Sequence, residues 1–201
     1  SESAKKDLSN AKDAAKADIN QKATDAKAAI DAMPNLSDKE KEAAKAKVDE
    51  EAKAAKADID AVTKPADKSN VAAKKNDGIT KLDSVESAAT NNDISNMKGA
   101  AKSDIDSKAT EAKKAIDAMP DLTPEQKTAA KADIDAKATE SKAAVDAIQT
   151  PADKADVAKI REEINSQKDS ASNYIDKKQS ESADQDLNNA KKNAKNDIDK
   201  K

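Results

Sequence analysis

Apolar positions along this chain return in alternating steps of four and three residues. One such run is Ile19, Ala23, Ala26, Ile30 and Met33, and Ile105, Ala109, Ala112, Ile116 and Met119 repeat it. Spacing of this kind places the apolar side chains on one face of an α-helix, as a heptad seam does. A second seam follows at Val48, Ala52, Ala55, Ile59 and Val62, and again at Ile134, Ala138, Ser141, Val145 and Ile148. Pro34 and Pro120 end the first helix of each set, since a ring that removes the amide hydrogen cannot continue it. Ser37-Asp38-Lys39-Glu40 and Thr123-Pro124-Glu125-Gln126 have the capping-box pattern that starts the second. A third helix opens near Pro65 and Pro151, with an expected seam at Val157, Ile160, Ile164, Gln167, Ala171 and Tyr174 in the later copy. Val71, Ile79, Leu82 and Val85 do not share one strict seam, and Asn76-Asp77-Gly78 predicts a kink or a frayed patch there.

These helices are internal repeats. Ala15 to Met33 returns at Ala101 to Met119, 86 residues on, and the same offset maps Pro65 onto Pro151 and Val71 onto Val157. Ala183 to Ile198 matches Ala4 to Ile19 and begins a third copy, after a spacing seven residues longer. Seven residues are one heptad, so the longer repeat keeps its seam in phase. Short proline-marked turns between long helices imply antiparallel neighbours. The expected fold is all-α: tandem up-down-up three-helix bundles, joined by continuous or near-continuous helices into an elongated rod, a spectrin-like arrangement. Residues 1–89 and 90–182 form the two repeats and 183–201 the first helix of a truncated third. The stretch from Ser84 to Ile105 has no proline and carries the seam through, so helix three is expected to run into the next helix one. Asn91-Asn92-Asp93 is its weak point, an N-cap that would turn the joint into a tight corner.

Composition narrows the chemistry. The 201 residues include no His, Cys, Trp or Phe and one Tyr, which leaves no Ser-His pair, thiol nucleophile or soft metal site. The reading is therefore non-enzymatic, with no catalytic, cofactor-binding or metal-binding residue and no cofactor. Only 24 residues are Ile, Val or Leu, so alanine must fill much of any core. With 37 basic and 40 acidic residues the net charge is −3, and no basic stripe with aromatic platforms is present to bind nucleic acid. Charges interrupt every apolar stretch, which excludes insertion in a membrane. No signal peptide or anchor motif is visible, and the sequence reads as an interior segment of a longer protein.

The segment AIDAMPNLSDKEKEAAKAKVDEEAKAAKADIDAVTKPADKSNV and its second copy resemble the repeats of the domain-of-unknown-function 1542 family. The shared pattern is Pro, Asn or Asp, Leu, Ser or Thr, then an Ala/Lys/Ile helix, then Thr and Pro ahead of a Val, ending at Gly78-Ile79. The resemblance implies a cell-wall-anchored surface protein of Gram-positive bacteria, extracellular, in which such repeats act as a stalk carrying an adhesive tip in fibrillar adhesins and biofilms.

Several residues invite a sharper reading. Tyr174, the lone aromatic, could anchor a partner but is expected on the seam of helix three. Asn35-Leu36-Ser37 matches a glycosylation acceptor, yet Asp121 stands at that place in the second copy, so a turn-and-cap role accounts for both. Glu50-Glu51 and Glu162-Glu163 read as solvated faces paired with lysines three or four residues away. Lys12, Lys98 and Lys191 recur near the seam, where their stems are expected to lie over an alanine groove. The leading function is a structural spacer whose partners are the neighbouring repeats of its own chain. The alternative is a weak, multivalent adhesive module for a host matrix protein or glycan, for which aromatic and Arg contacts are scarce.

Overall fold

The computed structural model of the chain describes residues 1–150 and 156–200. It is all-α, with no strand among the described residues. The helices are α1 (Glu2–Asp31), α2 (Asp38–Asp60), α3 (Ser69–Asp117), α4 (Pro124–Ala147) and α5 (Val157–Asp199), with a short 3-10 turn at Pro65–Asp67. Two compact units emerge, Ser1–Asn96 and Met97–Lys201. The first holds α1, α2 and the front of α3; the second holds the remainder of α3, α4 and α5.

The ends of the helices follow local chemistry. Ser37 Oγ accepts from the Glu40 amide at 3.3 Å while Glu40 Oε2 accepts from the Ser37 amide at 2.8 Å. Thr123 and Gln126 form the same reciprocal pair ahead of α4, with Pro124 at the first helical position. Both satisfy amides that the first helical turn leaves without an intrahelical partner. α1 stops at Asp31 and α3 at Asp117, each three residues before its proline.

Within the first unit, Ile19, Ala23, Ala26 and Ile30 of α1 and Val48, Ala52, Ala55 and Ile59 of α2 are buried against Val71, Leu82 and Ala89 of α3. Within the second, Ile105, Ala109, Ala112 and Ile116 of α3 and Ile134 and Ala138 of α4 close over Ala171 and Ile175 of α5. The seams of the first two helices are thus where the heptads put them.

The third helix departs from expectation in two ways. Gly78 does not break the helix: it lies inside α3 without a positive φ, and a Cβ there would sit 2.5 Å from Ala55 Cβ and 2.8 Å from Ile19 Cδ1. The glycine is present because three helices meet too closely for a methyl group. Second, α5 buries Ile164, Ala171, Ile175 and Ser182, whereas Val157, Ile160, Gln167 and Tyr174 are only half-buried. The true register sets α5 93 residues after α3: Val71 pairs with Ile164, Leu82 with Ile175 and Ala89 with Ser182, and the Lys22–Asp83 ion pair returns as Lys108–Asp176, both at 2.6 Å. The seven added residues therefore lie between Ile148 and Ile164, ahead of the packed seam rather than inside it. Pro151 falls outside the described residues. As expected, helix three runs on without a turn: α3 passes through Asn91-Asn92-Asp93 unbroken.

Substituting Ile105→Asp, at a fully buried position, should lower unfolding free energy by about 3–5 kcal/mol, whereas Ala28→Asp on the exposed face of α1 should cost under about 1 kcal/mol. Chemical denaturation of both variants tests the seam, and equal effects would refute it. Gly78→Ala should destabilise by about 1–3 kcal/mol despite the better helix propensity of alanine, because Ala55 is part of a helix that must shift. The double variant with Ala55→Gly should regain part of that loss in the same measurement.

Candidate functional site

The polar constellation that recurs with full geometry lies where α3 and α5 pass the turn between the preceding two helices. Asp93, wholly buried, accepts from the Asn35 amide at 2.7 Å, and Asn96 Nδ2 donates to the Asn35 carbonyl at 2.9 Å and to Glu40 Oε1 at 3.2 Å. In the second unit, Asp186 Oδ1 accepts from the Asp121 and Leu122 amides at 2.7 and 2.9 Å. Asn189 Nδ2 donates there to the Asp121 carbonyl at 2.9 Å and to Gln126 Oε1 at 2.8 Å. A turn with no regular ladder leaves its amides and carbonyls without partners, and this carboxylate–amide pair supplies them from the third helix.

Lysine 98, two residues beyond Asn96, does something else. Its ammonium donates to the Asp146 and Ile148 carbonyls at 3.0 and 2.8 Å, at the C-terminal end of α4. Lys12 does the same for α2 through the carbonyls of Asp60 and Val62, at 2.8 and 3.2 Å. These lysines cap the carbonyl end of a neighbouring helix, which carries no basic residue in its own last turn. The expected resting place over an alanine groove is therefore replaced by a cap. Lys41 and Lys127 return the favour, donating to the Asp31 and Asp117 carbonyls at 3.0 and 2.8 Å.

Further along the same faces, Lys16–Asp60, Lys27–Asp49 and Lys45–Asp31 cross from one helix to the other at 2.7–3.1 Å. Lys102–Asp146, Lys113–Asp135 and Lys131–Asp117 repeat them at 2.5–2.6 Å. The charges are paired mostly between helices and not three or four residues apart within one. Their carboxylates are more than half exposed, so each pair contributes at most about 1 kcal/mol, and the set acts chiefly by fixing register.

The other singled-out residues are scattered. Tyr174 is half-buried, its ring flanked by Lys137 and Lys178 with each ammonium 5.9 Å from the centroid, and Ile175 beside it takes the core position. Glu51 pairs with Lys81 at 3.9 Å, while Glu162 and Glu163 are exposed on α5. Asn35 is held by its backbone in the turn. Lys191 is exposed on the last part of α5, as are Leu187 at 52% and Ile198 at 73%. Among the described residues no group of three acidic side chains is arranged to hold a metal ion, and no helix is long and apolar enough to cross a membrane. The turn clamp itself was missed in the sequence, although its signal is there. Asp7-Leu8-Ser9-Asn10-Ala11-Lys12 returns as Asp93-Ile94-Ser95-Asn96-Met97-Lys98 and as Asp186-Leu187-Asn188-Asn189-Ala190-Lys191.

Two measurements probe this chemistry. Asp186→Ala, which strips two turn amides of their acceptor, should destabilise the chain by about 1–3 kcal/mol, while Asp184→Ala on the exposed side should be near neutral, both read by denaturant unfolding. Glu40 is held below the ordinary glutamate range by the Ser37 hydroxyl, the Ser37 amide and Asn96. Its contribution is therefore complete above the unfolded-state value and is lost as pH falls through the lower folded value. Glu40→Gln, the residue type the second unit uses at Gln126, should remove that acid dependence, so the stability gap between the two proteins narrows in acid.

Two family models match the chain. Residues 11–90 match the family model "Domain of Unknown Function (DUF1542)", and residues 105–158 match "GA module". Both are domains typical of surface proteins of Gram-positive bacteria. Comparison with curated proteins and with solved structures finds no match. The two matches fall one on each compact unit: residues 11–90 of the first are similar to the DUF1542 domain, and residues 105–158 of the second to the GA module.

Proposed function

We propose that the chain is a non-catalytic spacer of a Gram-positive cell-surface protein, in which the number of repeats sets how far a binding tip stands from the cell wall. The observation that carries this reading is α3. It is unbroken from Ser69 to Asp117, serving as last helix of one unit and first helix of the next. The six-residue motif inside it works in both directions: Asp93 and Asn96 hold the α1–α2 turn, and Lys98 caps α4. The third occurrence of the motif, with exposed Leu187 in it and exposed Ala194 and Ile198 after it at the spacing of Leu8, Ala15 and Ile19, fits the first helix of a further repeat.

The GA-module match favours a second reading, capture of a host protein, because that module is of an albumin-binding type. The single aromatic residue makes this the weaker reading for the chain as a whole.

Small-angle scattering separates a spacer from a globule. The spacer should give a maximum dimension of about 80–100 Å or more, from helix length at 1.5 Å per residue. A radius of gyration near 16–17 Å, that of a compact globule of this size, would sink it. Titration of the intact chain against serum albumin on a biosensor addresses the second reading. A dissociation constant in the micromolar range or tighter would promote capture over spacing.

A further inference from the structure

Beyond its turn clamp, α5 presents an apolar face that nothing covers. Leu187 and Ile198 are 52% and 73% exposed, and Ala194 between them is exposed as well. Their counterparts at the start of α1, Leu8, Ala15 and Ile19, are 6%, 5% and 0% exposed. What differs is the covering layer. The seam of α1 is closed by the rear of α2 and the front of α3, where Ile19 meets Ala55 and Gly78. Ala101 and Ile105 of α3, the counterparts in the second unit, are buried likewise. Charge recognises the covering pair too. Lys12 donates to the Asp60 and Val62 carbonyls at the end of α2, Lys16 meets the Asp60 carboxylate at 3.1 Å, and Asp18 takes Lys75 of α3 at 2.9 Å. Lys98 and Lys102 repeat the first two of these contacts on α4. Lys191, Lys195 and Asp197 stand at the same three places on α5, all exposed.

We propose that the end of α5 is a docking surface for an antiparallel pair of helices of the repeat's own second-and-third type, supplied by a separate polypeptide. Three observations select that occupant. This seam is covered in the same way twice within the chain, once in each unit. The surface continues an interface already formed, since Asp186 and Asn189 of the same helix hold the turn before α4. The charges at Lys191, Lys195 and Asp197 ask for a helix end with free carbonyls, a carboxylate in its last turn and a lysine on the next helix. A second intact copy offers no such pair, because its own α1 and α3 cover both. The proposal rests on the repeat reading given with the spacer function and extends it: an interrupted repeat is completed without a covalent link, so two polypeptides share one bundle. A lone helical end of this length is marginal in water, and docking orders it.

The test uses the intact chain and a peptide with the sequence of residues 48–85, which spans the rear of α2, its turn and the front of α3. Methyl NMR is expected to show saturable shifts at Leu187, Ala194 and Ile198. Ile198→Asp should weaken binding at least about tenfold and leave the thermal melt of the chain alone unchanged, since the residue is exposed. Lys195→Asp should weaken it about two- to fivefold, and a peptide carrying Asp60→Lys should restore that loss. Absent shifts, or a reversed charge pair that fails to rescue, would overturn the proposal. Shifts that persist in Ile198→Asp would do the same, as when the peptide replaces α2 in the first unit instead. So would a dimer of the chain alone that Ile198→Asp dissolves in sedimentation, because a second copy would then cover this face. Scattering reads the spacer function on the chain without peptide, so either can fail alone.

Discussion

An alanine seam can be dried only if helix backbones come close together, and that single requirement organises both bundles. Burial stabilises in proportion to the apolar area removed from water, and a methyl group offers little of it unless the opposite surface is near. The approach is tightest where Gly78, Ala55 and Ile19 meet, and there even one added carbon has no room. Large aliphatics then serve as spaced pegs along the seam, with Ile19, Ile30, Val48 and Ile59 wholly buried in one unit and Ile105, Ile116, Ile134 and Val145 in the other. Narrow separation also explains the lysines. Their reach from one helix to the next is short enough to cap a neighbour's carbonyl end or meet its aspartates, which a thicker core would prevent.

Most of the helical skeleton was legible because its signals are local. Prolines, capping boxes and a four–three apolar rhythm act within a few residues, and the seams of α1, α2, the rear of α3 and α4 follow them residue by residue. What escaped were effects that belong to two helices at once. A glycine in an isolated helix is a flaw, and only Ala55 on the facing helix makes Gly78 a fit. Tyr174 keeps the spacing of a core residue relative to Ile164, but rotation of α5 gives the inward place to Ile175. Lys12 and Lys98 were visible as a recurrence, yet their acceptors are backbone carbonyls about fifty residues away, which no periodicity reveals.

The aspartate–asparagine–lysine motif is the polar counterpart of the seam. A bundle of small residues has little apolar surface with which to fix the height of one helix against another, and alanine ladders slide easily into neighbouring registers. Directional hydrogen bonds to a turn do fix it, since a shift of one helical step would strip Asp186 from both amides it accepts. The same logic accounts for the repetition of the Lys-to-acceptor straps between first and second helices, Lys56 to Asn20 and Lys142 to Asp106 among them. Individually these contacts are small; together they leave a single alignment in which all are made.

The seven residues that distinguish the second unit lie between Ile148 and Ile164, and the buried positions Ile164, Ile175 and Ser182 after them stay in phase with Val71, Leu82 and Ala89. Length can thus change at this end of a bundle while the clamped end does not notice. The connection between second and third helices is where foreign sequence could be spliced, by evolution or by an engineer wishing to mount a recognition loop, with the scaffold left intact.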